Sequence, residues 1–265
     1  MGARPRLRQF RSSTEVSHRL RAQPFIMTPD SGLRLTLGSL TAGRFLRRLN
    51  RFAALVEVRG RRVRAHVANS GRLRELFAPG ARVYLRRQGR AGRRCPYDLA
   101  LVRLGRTLVS ADARLPNALV AEALRAGRIA PLRGFGPARA EVRHGKHRLD
   151  FVLGRRGARC LVETKSCTLV ERGVALFPDA PTARGRRHLE ALARARRLGT
   201  PAAVIFVVQR PDALRFRPNV EADPAFARAL SRAAAAGVWV LAYRCRVSRT
   251  AITMAEPIRV GLESA

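Results

Sequence analysis

The sequence predicts a mixed α/β (α+β) fold: a small β-barrel followed by an α/β domain built on a central mixed sheet. Three observations predict it. Residues 40–108 break into short apolar runs punctuated by glycine and proline, which marks closely spaced strands. From residue 115 onward, strand-like runs alternate with segments of helical period, which marks helices layered on a sheet. His147–Leu153 and Cys160–Cys167 read as two strands joined by a glycine and arginine loop, and they hold the chain's most unusual residues.

The chain has 265 residues, enough for one or two domains, with 53 basic against 18 acidic residues and a net charge of +35. That balance is far beyond what solubility needs and favours a polyanionic partner, nucleic acid (DNA or RNA) before a membrane surface. All but two of the basic residues are arginine; the lysines are Lys146 and Lys165. Arginine does not deprotonate, whereas lysine is a compact, tunable charge, so Lys165 is a candidate for chemistry. The four cysteines, Cys95, Cys160, Cys167 and Cys245, form no CxxC pair and no zinc spacing. They read as free thiols in a reducing, cytoplasmic setting. The longest apolar run, 202–208, is too short to span a membrane, and the N-terminal stretch lacks the apolar segment of a signal peptide.

In chain order, residues 1–39 are arginine-rich and aperiodic, with Pro5, Pro24 and Pro29, and are expected to be a disordered basic extension. The alternative is a start at Met27 or later. Residues 40–110 form the first domain. Runs at 52–58 and 63–67 flank a turn containing Gly60, as a hairpin does. Asn69-Ser70-Gly71 is a turn, and a short helical piece is expected over 72–77 before Pro79-Gly80. Further strands are expected at 83–87 and 97–103. About five strands in about 70 residues suggest an oligonucleotide-binding (OB) barrel, which holds single strands by a basic groove and stacked aromatics. Phe45, Phe52, Phe77, Tyr84 and Tyr97 are the available rings, most of them expected in the core. Arg61, Arg62, Arg86, Arg87, Arg93 and Arg94 are the candidates for backbone contacts.

Residues 111–265 form the second domain. A helix is expected from a Pro116-Asn117 cap to about Ala126, stopped by Gly127. Strands follow at 140–144, 147–153 and 160–167. A helix over 182–198 carries Leu189, Leu192, Ala195 and Leu198 at helical spacing. A buried strand at 203–209, a helix at 224–236 and a strand at 238–244 complete the sheet.

The chemistry centres on the hairpin. If Leu153 pairs with Cys160, Asp150 falls opposite Glu163, and Lys165 shares a face with Glu163. Like charges directly opposite destabilise a sheet, and a divalent cation with oxygen ligands offsets that repulsion. Asp150, Glu163 and the Thr164 carbonyl are the candidate ligands for Mg²⁺ or Mn²⁺. Lys165 would orient a water or stabilise charge on a phosphate. Glu122 on the first helix either joins this site or pairs with Arg125 on the surface. The acids themselves have a blander alternative, as strand charges paired with arginines. A second cluster, Arg184, Arg187 and His188 near the start of the 182–198 helix, either binds a phosphate or is ordinary capping and surface charge.

The residues also resemble a known family, the sugar fermentation stimulation protein A family. The resemblance covers roughly residues 40–257 and is carried by RLNRFAALVEV (48–58), HVANSGRLRELFAPG (66–80), YDLALV (97–102), LPNALVAEAL (115–124), RLDFVL (148–153), VETKSCTL (162–169) and FPDAPTARGRRHLEAL (177–192). The family's first half looks like an OB fold and its second like the PD-(D/E)XK nuclease superfamily. The resemblance implies metal-dependent cleavage of nucleic acid. Asp150 and Glu163 would be its metal-binding acids, Lys165 its motif lysine and Glu122 its helical glutamate. A DNA-binding regulator of sugar metabolism genes without catalysis is the alternative that the family name suggests. Related folds often pair up, so a homodimer is one expected state. Arg94-Cys95-Pro96 and the 1–39 extension depart from the family pattern without touching the expected site.

Overall fold

The computed structural model describes residues 33–88, 94–144, 147–154 and 159–262, without the side chains of His144 and His147. The expected disorder of residues 1–32, Arg93 and Lys146 lie outside the described residues.

The first half contains β1 (Arg34–Thr36), β2 (Leu40–Asn50), β3 (Ala53–Val58), β4 (Arg61–His66), β5 (Arg82–Arg87), β6 (Tyr97–Leu104) and β7 (Thr107–Ser110). Strands run in the order β4-β3-β2-β5-β6, and a parallel pairing of Ala65 with Tyr97 and His66 with Asp98 closes them into a five-strand, OB-like barrel. The β3–β4 hairpin has a two-residue loop, Arg59-Gly60, with positive φ at both positions (49° and 74°). That geometry matches the twist of the flanking strands, and glycine adopts it without a steric penalty. Phe45, Val56, Leu85, Leu99 and Val102 fill the barrel.

The second half contains α1 (Leu115–Arg125), β8 (Ala138–His144), β9 (His147–Leu153), β10 (Cys160–Cys167), β11 (Val170–Glu171), β12 (Val174–Phe177), α2 (Ala183–Arg197), β13 (Ala202–Val208), β14 (Arg215–Pro218), α3 (Pro224–Ala235), β15 (Trp239–Val247), β16 (Ala251–Pro257) and β17 (Arg259–Val260). A seven-strand mixed sheet runs β1-β16-β15-β13-β10-β9-β8, with β10, β13 and β15 parallel at its centre. β13, sequence AAVIFVV, is buried along its whole length, as a strand covered on both faces must be. Its residues alternate in their partners. Ala203, Ile205 and Val207 face α1, where they meet Leu119, Val120 and Ala123. Val204, Phe206 and Val208 face α2 and α3, where they meet Leu189, Leu192, Phe226 and Leu230.

Tyr84, Ala100 and Leu101 of the barrel belong to the same apolar cluster as α1 and the large sheet, so the two halves share a core. The N-terminal boundary differs from the expected one. Arg34–Thr36 pairs with β16 at the edge of the large sheet, and Leu33 and Leu37 are buried in the shared core. Three residues are too short for a periodic signal, and they pair with a strand more than 200 residues away. Residues 72–77 form a single turn closed by the Phe77 N–H on the Leu73 carbonyl (3.0 Å), not a helix. Helix α1 begins at Leu115, so Asn117 lies inside its first turn instead of capping it.

Leu37 is 1% exposed. Leu37→Ala is expected to cost about 3 kcal/mol, the usual cost of a cavity left by a buried leucine. Urea denaturation measures this, and a loss under about 1 kcal/mol would mean that the edge strand is not part of the folded core.

Candidate functional site

β9 and β10 pair antiparallel, Cys160 with Leu153, Leu161 with Val152 and Val162 with Phe151. The next pair in this register is Glu163 with Asp150, and there the paired ladder stops. The Asp150 side chain takes over from the backbone: its Oδ2 accepts the Thr164 N–H at 2.8 Å. Its Oδ1 accepts from Nδ2 of Asn117 on α1 at 2.9 Å. Asp150 is thereby fixed at the point where β9 leaves β10.

β10 continues beside β13, with Glu163 level with Val204 and Lys165 with Phe206. Glu163 and Lys165 lie on the face of β10 that carries Leu161 and Cys167, beneath α2. Lys165 Nζ stands 2.5 Å from Glu163 Oε1, and His188 Nδ1, from α2, meets the same oxygen. Gly185, His188, Leu189 and Leu192 form the buried face of α2, which brings the imidazole down onto the sheet. Glu163 is 3% exposed, and its second oxygen, Oε2, is buried without a hydrogen-bond partner among the described residues. A buried carboxylate oxygen in that condition is costly unless a ligand takes it up.

The two acids are pushed in opposite directions. Burial, and then the negative charge of Glu163, raise the Asp150 carboxyl above the usual range, against the lowering effect of the Thr164 and Asn117 hydrogen bonds. Burial alone would also raise Glu163, but the His188 hydrogen bond and the Lys165 ammonium outweigh it and hold the carboxyl below the usual range. The result is one stabilised carboxylate beside one under electrostatic load.

The structure brings together Asp150, Glu163, Thr164 and Lys165, and adds His188 and Asn117. The Arg184, Arg187 and His188 cluster was expected either to bind a phosphate or to be ordinary capping and surface charge; His188 is buried against Glu163, Thr182 caps α2, and Arg184 and Arg187 are exposed on its outer side. Glu122 pairs with Arg125, the surface alternative. It is five residues after Asn117, a rotation of about 140° around α1 from the residue that meets Asp150. Arg61, Arg62 and Arg87 are exposed on the barrel, with Arg62 level with Glu57 across β3 and β4. Arg86 turns inward toward Asp112 (3.4 Å) and Asp98 (3.8 Å), two buried acids that it shares with Arg114. Arg86 therefore serves the join between the halves of the fold. Among the rings, Phe45 and Tyr84 are buried and Phe52 is exposed.

A family model described as the sugar fermentation stimulation protein RE domain matches residues 114–251, and one described as the SfsA N-terminal OB domain matches residues 46–111. A sugar fermentation stimulation protein homolog from Moorella thermoacetica is 46% identical over 226 residues, covering 84% of this chain and 97% of that protein. One from Chloroflexus aurantiacus is 42% identical over 233 residues, covering 87% and 90%. A solved structure of Pyrococcus furiosus SfsA in complex with Ca²⁺ matches with a TM-score of 0.80 at 30% identity, covering 88% of this chain and all of that one.

The load on Asp150 has a sign that can be measured. A carboxyl whose folded pKa is raised binds its proton more tightly when folded, so its ionisation weakens the fold as pH rises from the unfolded value, about 3.9, through the folded one. In chelator, Asp150→Asn is expected to melt at a higher temperature than the parent at pH 7, with the gap closing below about pH 4. An equal or lower melting temperature at pH 7 would remove the electrostatic load.

Proposed function

The chain belongs to the sugar fermentation stimulation protein family, and from that premise we propose that it hydrolyses phosphodiester bonds of DNA or RNA with a divalent cation, Mg²⁺ or Mn²⁺, held at Asp150 and Glu163. The observation that carries this reading is the open, buried Oε2 of Glu163 beside the loaded carboxyl of Asp150. Both acids offer carboxylate oxygens of the kind that a hard divalent cation takes.

The residues fit a hard cation. Mg²⁺ is commonly held by one or two carboxylates and keeps several waters. Among the described residues no three His, Cys, Asp or Glu side chains group into a ready-made cage, so the remaining ligands would be water and substrate oxygens. The Ca²⁺ in the Pyrococcus furiosus relative supports an oxygen-seeking ion in this fold. When bound, such a cation neutralises phosphate charge and lowers the pKa of a coordinated water.

The chain's own groups do the rest. The Thr164 N–H and Asn117 hold Asp150 in one orientation. His188 holds Glu163 from the α2 side. Lys165, beside Glu163 Oε1, places a positive charge where a phosphate would gain negative charge during attack. The +35 net charge draws the polyanion to a site whose acids would otherwise repel it.

Purified protein is expected to cleave labelled DNA or RNA with Mg²⁺ or Mn²⁺ and not with chelator. Lys165→Ala and Glu163→Gln should each lower the rate by about 100-fold or more. Glu122→Ala should leave it within about twofold, because that side chain pairs on the surface. Cleavage that survives both site variants would sink the assignment, and binding without cleavage in the parent would favour the DNA-binding regulator. Affinity for duplex DNA should fall with salt at a log–log slope of about −0.9 per phosphate contacted.

A further inference from the structure

We propose that the cleft between the barrel and the α/β half holds a single nucleic-acid strand beside the bond that the acid cluster addresses. The proposal rests on the nucleic-acid reading and narrows it to unpaired substrate.

The cleft has a volume of about 700 Å³, and its walls include Arg51, Ser70 and Arg72 from the barrel and Ser166 and Thr182 from the other half. Two polar devices build it. The Arg48 guanidinium donates to the carbonyls of Gly71 (2.8 Å), Arg72 (2.6 Å), Arg51 (2.6 Å) and Asn69 (3.2 Å), which binds the β2–β3 turn to the 69–72 loop. Asp179 then accepts the Leu73 N–H at 3.0 Å, which ties that loop to the segment before α2. The approach is so close that a Cβ on Gly71 would lie 2.7 Å from Asp179 Oδ2.

Arg48 is therefore committed to backbone carbonyls. The guanidinium groups of Arg51 and Arg72 make no hydrogen bond or ion pair among the described residues, and both line the opening. The fold leaves these two cations for something else. Beside Arg51 in the same turn stands Phe52, 51% exposed and the one aromatic among the exposed large apolar side chains of the described residues. Arginines that track a backbone next to an exposed ring are the elements of a single-strand site. Size agrees: at about 700 Å³ the cleft is of ligand dimensions. Position agrees as well. Ser166 directly follows Lys165 on β10, and Thr182 caps the helix that carries His188. The cleft therefore opens next to β10 and α2, the two elements that carry Glu163, Lys165 and His188.

The test is fluorescence anisotropy in EDTA, where cleavage is stopped, with a labelled 12-nucleotide oligothymidylate and a labelled DNA hairpin. Three changes are made: Ser70→Trp to fill the cleft without altering charge, Arg51→Ala together with Arg72→Ala, and Phe52→Ala. Each is expected to weaken oligothymidylate binding about tenfold and hairpin binding less than twofold. Arg228→Ala with Arg232→Ala, which removes the same charge from the α2–α3 groove, is the control and should weaken both probes alike. Melting curves confirm that each variant is folded. The proposal is overturned if folded Ser70→Trp binds oligothymidylate like the parent, or if the cleft variants weaken the hairpin as much as the single strand. Loss of the hydrolytic reading is separate: it appears as absence of Mg²⁺-dependent cleavage while cleft-dependent strand binding persists.

Discussion

The Glu163 carboxylate is buried between a strand and a helix, and much of the second half is arranged around keeping it charged there. Burial works against the anion, and water is almost excluded, so the compensation must come from the protein. It comes from Lys165, two residues along the same strand, and from His188, which α2 lowers onto the sheet. Both act on Oε1. Oε2 accepts no hydrogen bond from the described residues. That asymmetry separates this carboxylate from an ordinary buried ion pair, in which good geometry satisfies both oxygens. It also makes the environment of this carboxylate depend on the packing of α2. The apolar contacts of Leu189 and Leu192 with the sheet hold the helix at the depth where His188 meets its acid.

The same dependence of chemistry on packing extends to the barrel. The barrel adds Tyr84, Ala100 and Leu101 to the core that α1 shares with the large sheet. α1 in turn carries Asn117, which steadies Asp150. The buried acids Asp98 and Asp112, one on β6 and one just before α1, are linked by Arg114. A shift of the barrel would therefore act on α1 and through it on Asp150. The edge strand β1 closes the arrangement, since among the described residues the chain joins the second half's sheet before it builds the first half.

The sequence made the barrel, the mixed sheet and the hairpin register legible because each has a local signature: short spaced strands, alternating periods, and one pairing from which the rest follows. Leu153 does pair with Cys160, and the ladder runs on to Val162 and Phe151, stopping one step short of Glu163 and Asp150. What it hid were choices made by tertiary packing. Asn117 has the residue type and position of a helix cap, yet α1 starts two residues earlier and turns it toward Asp150. Glu122 matches a family glutamate by position, but its place on α1 is set by rotation, and its side chain pairs with Arg125. His188 was visible as part of an Arg-rich helix start. Only the depth of α2 on the sheet shows that it faces an acid and not a phosphate. Arg86 reads like its neighbours in a run of arginines, and two buried carboxylates on distant segments turn it inward.

The rarity of lysine can now be given a physical reason. This chain fills almost every cationic position with arginine, yet Lys165 stands beside Glu163. An arginine there would present a planar fork, whose preferred partner is a carboxylate gripped by both oxygens. It would satisfy Oε2 and close the position that the proposed cation would take. Lysine brings a compact charge to one oxygen and leaves the other open. His188 reinforces the choice by meeting the same oxygen that the lysine meets. Two cation-capable groups therefore stabilise the carboxylate without occupying it, which a single arginine cannot do. In a protein biased this strongly toward arginine, one of the two exceptions sits where bidentate pairing would occupy both carboxylate oxygens.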